Sequence, residues 1–133
     1  MDFAGINWLA VLAATASAFA VGGLWYGPLF RRAWCRENGV DPDAPPGRHP
    51  GKVFGTAIIA AFVAASAFAL ILGPAPAPSR AITLGLLAGL CWVAMGFAIN
   101  YAFAGRSARL WLIDGGYHTL QFLLYGLVLG AWH

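Results

Sequence analysis

Four long apolar stretches separated by shorter polar connections dominate this chain of 133 residues. They cover residues 6–26, 53–72, 81–103 and 110–132, so each is 20 to 23 residues long. A helix of about 20 residues crosses the roughly 30 Å hydrocarbon core of a bilayer. The pattern therefore predicts an all-α integral membrane protein, a single domain over residues 1–133 in which four transmembrane helices form an up-down bundle.

The composition supports a membrane protein. Hydrophobic residues make up 60% and charged residues 10% of the chain, and the mean hydropathy is +0.70. Soluble domains carry about 25% charged residues. The pI of 9.2 does not indicate a nucleic-acid partner, because every basic side chain lies between two apolar stretches. The expected partner is the lipid bilayer.

The basic residues also predict the orientation, because Lys and Arg stay preferentially on the cytoplasmic side of a membrane. Loop 28–52 contains five basic residues and the third loop contains two, whereas the second loop contains only Arg80. Both termini are therefore expected outside the cytoplasm, in a multi-pass membrane protein. The first stretch is expected to remain as a span, because Met1 and Asp2 supply no basic region of the kind that precedes a signal sequence.

Loop 28–52 has two parts. Gly27-Pro28 ends the first helix, and Arg31, Arg32 and Arg36 then alternate with apolar residues at helical spacing. This basic segment is expected to lie along the lipid headgroups. Residues 37–50 contain four prolines and are expected to be extended or mobile. The loop is a candidate surface for a cytoplasmic protein partner, although anionic lipid explains the arginines equally well.

Small residues recur at helix-packing spacing. Gly85 and Gly89, and Gly126 and Gly130, form two G-x-x-x-G motifs, which allow close approach of membrane helices. They predict contacts either within one bundle or between chains. A homo-oligomer is expected, because the chain offers more small-residue surface than one four-helix bundle uses.

The last stretch carries the only intramembrane charge, Asp114. Spacings of four, three and four place Asp114, His118, Gln121 and Tyr125 on one face of a helix. On the third helix, a stripe through Gly85, Gly89, Trp92 and Gly96 ends at Asn100, at similar depth. The first helix ends at this level too. The predicted polar intramembrane cluster consists of Asp114, His118, Gln121, Asn100, Trp25 and Tyr26.

Two interpretations of Asp114 remain open. A carboxylate at a helix centre costs roughly 2.5–3.5 kcal/mol on insertion scales, so Asp114 is expected to be neutral, paired with His118, or in water. The functional interpretation is an ion or proton path or a polar binding pocket. Alternatively, Asp114 lies near the helix N-terminus, where the helix dipole and the headgroups favour an acid.

The chain shows no nucleophile and base arrangement, and Cys35 and Cys91 lack metal-ligand spacing. No enzyme activity, metal or cofactor is therefore expected. The favoured function is a non-catalytic membrane subunit or scaffold. The alternative is a homo-oligomeric channel or transporter for an ion or small solute, which would use Asp114 and His118.

Two motifs resemble those of a bacterial family of small four-helix membrane proteins that is defined by a domain of unknown function. They are W-Y-x-P-L-F at residues 25–30 and L-I-D-x-G-Y at residues 112–117, and Asn7 and the closing residues 130–132 fit as well. The resemblance covers essentially the whole chain. It implies a multi-pass integral protein of the bacterial cytoplasmic (inner) membrane without implying an activity, and it places family motif residues at Trp25, Tyr26, Pro28, Asp114 and Gly116.

Overall fold

The structure, a computed structural model, describes residues 3–133, so the expectation that rested on Met1 and Asp2 lies outside it. Within these residues the chain is helical, without strands. A short 3-10 turn, Phe3–Gly5, comes first. The helices that follow are α1 (Trp8–Leu29), α2 (Arg31–Asn38), α3 (Pro50–Leu72), α4 (Pro78–Phe103) and α5 (Ala108–Ala131).

Local signals explain where the helices begin and end. The side chains of Asn7 and Ser107 accept hydrogen bonds from the backbone N–H groups three residues later, which caps the starts of α1 and α5. Pro50 and Pro78 begin α3 and α4, where a missing N–H costs nothing. Gly105, with φ of 64°, adopts the left-handed conformation that turns the chain from α4 towards α5.

Successive long helices run antiparallel, and α5 contacts every other helix. Along α1 and α3, Trp8 packs near Phe62 and Phe19 near Phe54, with ring centroids 6.4 and 6.1 Å apart. The α2 end of the bundle is formed by α2, residues 39–49, the loop between α4 and α5, and the first turns of α3 and α5, and it contains seven of the eight basic residues. Because α5 contacts every other helix, the bundle is arranged around it.

Three helices of the described chain, α1, α3 and α4, are long and apolar enough to span a membrane. This confirms the prediction of an all-α chain with membrane-compatible helices. The 24-residue α5 is less apolar, because it carries polar side chains such as Asp114 and Gln121, which are only 7% and 5% exposed. Large apolar side chains instead cover the bundle surface.

The glycines of the two G-x-x-x-G motifs lie where α4 and α5 approach most closely. A Cβ atom added at Gly126 would lie 2.5 Å from the Ala81 carbonyl oxygen, and one at Gly89 would lie 2.7 Å from Thr119 Cα. A Cβ atom would also lie within 3.0 Å of the nearest atom of the facing helix at Gly85 and at Gly130. All four motif glycines therefore serve a contact within one chain, which removes them as an argument for self-association.

A π-helical segment, Leu87–Ala94, interrupts α4. It inserts one residue relative to regular α-helix, so the face towards α5 passes from Gly89 to Ala94 in a step of five, and then to Phe97 and Tyr101. The expected stripe through Trp92, Gly96 and Asn100 is wrong for this reason. The side chain of Trp92 is 68% exposed, and Asn100 is exposed as well.

Candidate functional site

The Asp114 carboxylate joins three helices at the α2 end of the bundle. Its Oδ1 accepts a hydrogen bond from the Tyr26 hydroxyl of α1 at 2.6 Å, and its Oδ2 accepts one from the Tyr101 hydroxyl of α4 at 2.5 Å. Each carboxylate oxygen therefore has one phenol donor. Because Asp114 is almost completely buried, these bonds replace the water that the carboxylate would otherwise bind.

The end of α1 positions Trp25 and Tyr26 through a second π-helical turn, Trp25–Leu29. Pro28 lacks the N–H of a regular α-helix, and the Phe30 N–H donates to the Trp25 carbonyl five residues back at 2.9 Å. The Trp25 indole N–H donates to the Ile113 carbonyl at 2.9 Å. Trp25 therefore holds the backbone of α5 next to Asp114, while Tyr26 binds the carboxylate.

Tyr101 is the site residue that the sequence analysis missed. Asn100 was expected at this position, because a regular helix continues the stripe from Gly96 in a step of four. The π-helical segment rotates the rest of α4 by one residue, which replaces the amide with a phenol. A phenol can donate to a carboxylate as an amide can, so residue type did not distinguish Asn100 from Tyr101. The choice depended on the register of α4, which spacing in the sequence did not reveal.

His118 and Gln121 belong to a separate chain of hydrogen bonds deeper in the bundle. His118 Nδ1 lies 2.6 Å from Gln121 Oε1, and Gln121 Nε2 donates to the Tyr125 hydroxyl at 2.7 Å. The Tyr125 hydroxyl donates in turn to the Ala61 carbonyl of α3 at 2.9 Å. Because an amide oxygen only accepts, Nδ1 must be the protonated nitrogen of His118.

The expected pair between Asp114 and His118 is therefore not formed. The two side chains share a helix face but bind different partners. The imidazole of His118 also stacks on the Phe97 ring, with centroids 5.1 Å apart and planes inclined by 18°. The predicted cluster is thus divided into a carboxylate site and a core network.

An open cavity of about 590 Å³ lies beside Asp114, between the bundle and the first loop. Asp114, Tyr26 and Phe97 line it from the bundle. Arg31, Trp34 and Cys35 line it from α2, and residues 40–42 and 44–47 of the proline-rich loop complete its wall. The site therefore combines a buried acid with aromatic and apolar surfaces.

The loop is held in place instead of extending away from the protein. The Arg31 guanidinium donates to the Pro42 carbonyl at 2.8 Å, which bends the loop back towards α2. Glu37 at the other end of α2 accepts a hydrogen bond from Ser107 at 2.5 Å and lies 3.6 Å from Arg109. Of the predicted basic segment, Arg31 thus fastens the loop, while Arg32 and Arg36 are exposed.

In residues 3–133, no group of three or more His, Cys, Asp or Glu side chains is arranged to hold a metal ion. Both cysteines of this part of the chain are free thiols. Cys35 is buried beside the cavity, and Cys91 is exposed on the surface of α4. The chemistry that the site offers is therefore hydrogen bonding, charge and aromatic contact.

Comparison with known proteins gives a family for this arrangement. A family model described as protein of unknown function (DUF1761) matches residues 9–130, which include all the residues of the carboxylate site. The chain belongs to this family. The predicted resemblance to a family of unknown function is thus confirmed. No curated protein and no solved structure matches the chain. The function must therefore be argued from the cavity and its carboxylate.

Proposed function

We propose that this DUF1761 protein is a non-catalytic, solute-binding subunit of the bacterial cytoplasmic membrane. In this proposal α5 spans the membrane together with α1, α3 and α4. Its 24 residues match the 22 to 26 residues of the other long helices, and its most polar side chains are turned into the bundle. The seven basic residues at the α2 end support a cytoplasmic position for the cavity and an external position for both termini.

The observation that carries the proposal is the position of the Asp114 carboxylate, which two hydrogen bonds hold at the wall of an open cavity. Small-molecule sites are commonly clefts of about 300–1,000 Å³ with apolar walls and a few well-placed polar groups. The cavity beside Asp114 measures about 590 Å³ and has mostly aromatic and apolar walls. The two tyrosines hold the carboxylate in one orientation before any solute arrives. This preorganisation favours binding.

The core beneath the cavity supports binding over passage through a single bundle. Tyr125 is completely buried, and Gln121 is 5% exposed. Their hydrogen bonds connect α5 to α3 in the interior. Passage through one chain would have to break this network. The channel or transporter alternative with Asp114 and His118 is therefore the less favoured proposal.

Protection of a thiol tests solute binding. Cys35 is buried but lines the cavity, so a maleimide must enter the cavity to react with it, and a bound solute should slow that reaction in the purified full-length chain in lipid nanodiscs. The control is Arg32→Cys in a Cys35→Ser background, because Arg32 is exposed on α2 and does not line the cavity, and its thiol should react at an unchanged rate. Mass spectrometry after brief labelling measures both rates across a panel of cationic, neutral and anionic solutes. If no solute protects Cys35 selectively, the proposed function is wrong.

A cytoplasmic protein partner at loop 28–52 is the second candidate. The exposed Arg32 and Arg36 favour it, because Glu37 docks α2 on the start of α5 and so presents both arginines on a fixed surface. Replacing Arg32 and Arg36 with Glu should then abolish cross-linking of loop 28–52 to a specific protein in cells. Unchanged cross-linking would contradict this candidate.

Self-association stays a prediction. The glycine motifs do not support it, because they are used in the contact between α4 and α5 of one chain. The lateral groove between α1, α4 and α5 is the most suitable surface, since apolar side chains such as Leu90, Leu112 and Leu123 line its roughly 350 Å³. A second copy or lipid chains would fill it. Native mass measurement in mild detergent with added lipid should detect a homo-oligomer. A strictly monomeric chain would contradict the prediction.

A further inference from the structure

We propose that the cavity beside Asp114 binds an organic cation, an ammonium group attached to an apolar or aromatic body. This inference rests on the proposed solute-binding function and specifies its ligand. It depends on three features of the described chain: an acid without a basic partner, aromatic rings around the same cavity, and the lack of further metal ligands.

The first feature is the uncompensated charge of Asp114. Both partners of its carboxylate are neutral phenols, from Tyr26 and Tyr101. Across residues 3–133 the single ion pair joins Arg109 to Glu37, so no basic side chain there is paired with Asp114. A buried charge is costly unless an opposite charge accompanies it. A cationic ligand would supply the missing charge.

The second feature is the aromatic lining. Tyr26, Trp34 and Phe97 contribute rings to the same cavity as the carboxylate. The faces of aromatic rings carry partial negative charge and attract cations, and such rings commonly recognise ammonium groups. An apolar body attached to the ammonium group can pack against the prolines at positions 42, 45 and 46. Acid and rings thus favour the same ligand chemistry.

The third feature separates an organic cation from a metal ion. A hard metal ion such as Ca²⁺ takes six to eight oxygen ligands. The described part of the chain has no cluster of three potential metal ligands, and most of the cavity wall is carbon. Asp41 and Arg31 also line the cavity, and Arg31 donates to the Pro42 carbonyl. Two acids against one base leave the cavity lining with a net negative charge, which makes it more suitable for a cation than for an anion.

The test compares three aromatic probes that differ in charge. They are benzyltrimethylammonium, benzyl alcohol and benzenesulfonate, each titrated against the full-length chain in nanodiscs of neutral lipid. Protection of Cys35 from maleimide reports occupancy of the cavity, and Arg32→Cys in a Cys35→Ser background corrects for changes in reagent access. Empty nanodiscs measure partition into lipid. We expect the cation to protect Cys35 at a concentration about tenfold or more below that of the neutral probe.

Two substitutions locate the effect. Asp114→Asn keeps the shape of the side chain and removes its charge, and it should weaken protection by the cation about tenfold or more while leaving protection by benzyl alcohol nearly unchanged. Asp43→Asn is the control, because Asp43 is an exposed acid of the proline-rich loop that does not line the cavity. It should leave both probes unaffected. Trp34→Leu provides a second variant with an intact carboxylate. It should weaken protection of Cys35 by the cation more than protection by the neutral probe.

The outcomes separate this inference from the function on which it rests. Stronger protection by the cation, lost in Asp114→Asn and kept in Asp43→Asn, supports an organic cation. Equal or stronger protection by benzyl alcohol or benzenesulfonate overturns the cation assignment and leaves solute binding intact. Failure of every probe to protect Cys35 overturns both. The probe comparison in the unmodified chain decides the question even if Asp114→Asn fails to fold.

Discussion

At the scale of single residues, the site depends on the two hydrogen bonds that the Asp114 carboxylate accepts from tyrosine hydroxyls. Tyr26 and Tyr101 approach from different helices, and each occupies one carboxylate oxygen. The bonds orient the acid and tie α1 and α4 to α5. A residue that organises a cavity therefore also contributes to the stability of the bundle.

Truncating Asp114 should reveal this second role. Asp114→Ala leaves both hydroxyls without their acceptor, so we expect a loss of roughly 1–3 kcal/mol in the free energy of unfolding, because unsatisfied buried donors are costly. Tyr101→Phe removes one donor and should cost about 0.5–1.5 kcal/mol. Equilibrium unfolding in detergent micelles measures both. The exposed Asp43, changed to Ala, should remain within about 0.5 kcal/mol of the wild type. A wild-type unfolding midpoint for Asp114→Ala would contradict the prediction.

Sequence reasoning found part of this residue set. It identified Asp114 and Tyr26, because an acid inside an apolar stretch and the end of α1 at the same level can be read from spacing alone. It missed Tyr101 and expected a pair with His118, because hydrogen-bond partners depend on the rotation of facing helices. A one-residue change in register rotates a side chain by about 100°, enough to replace one partner with another.

At the scale of elements, the close contact between α4 and α5 depends on glycine. Gly85 faces the Phe122 carbonyl so closely that a Cβ atom has no room, whereas Gly96 on the same helix has nothing within 4 Å. The two positions carry the same residue for different reasons. This difference provides a matched pair of substitutions.

Gly85→Ala should force α4 and α5 apart and cost about 1–3 kcal/mol, the usual range for overpacking a tight contact. Gly96→Ala should be neutral or stabilising by up to about 1 kcal/mol, because alanine favours helix over glycine. Unfolding midpoints in detergent measure the difference. Equal effects at the two positions would show that α4 and α5 are not packed as described.

The π-helical segment of α4 leads to a prediction about deletions. Trp92 lies within this segment and Ile99 after it, and their side chains are 68% and 61% exposed. Deleting Trp92 should convert the segment to regular helix and keep Tyr101 facing Asp114, since one residue is removed where one is inserted. Deleting Ile99 should rotate Tyr101 by about 100° and remove the bond.

We expect the Trp92 deletion to keep protection of Cys35 by the cationic probe, and the Ile99 deletion to lose it. The labelling assay with benzyltrimethylammonium measures both. If the Ile99 deletion kept protection and the Trp92 deletion lost it, the π-helical insertion would not set the register of Tyr101.

At the scale of the whole molecule, the distribution of charge relates the cavity to the membrane. The basic residues concentrate at the end that also holds α2, the proline-rich loop and Asp114. The rule that positive loops remain inside therefore predicts that solutes reach the cavity from the cytoplasm.

Reporter fusions test this orientation. A periplasmic reporter fused after His133 should be active, and a cytoplasmic reporter at the same point should be inactive. A fusion within residues 43–47 should give the opposite result. Cytoplasmic activity at His133 would reverse the orientation and would open the cavity to the outside.

The sequence alone determined the class of protein, because runs of apolar residues, proline and glycine breaks, and the count of basic residues are local properties that need no fold. It was sufficient to predict an all-α chain with membrane-compatible helices, and to single out the two motifs that contain Tyr26 and Asp114. Only the tertiary structure decided that the glycine motifs are used within one chain, that Tyr101 replaces Asn100, that His118 bonds to Gln121, and that a loop encloses a cavity beside Asp114. These depend on helix rotation and on contacts between residues distant in sequence, and a π-helical insertion changes such contacts without leaving a clear mark in hydropathy.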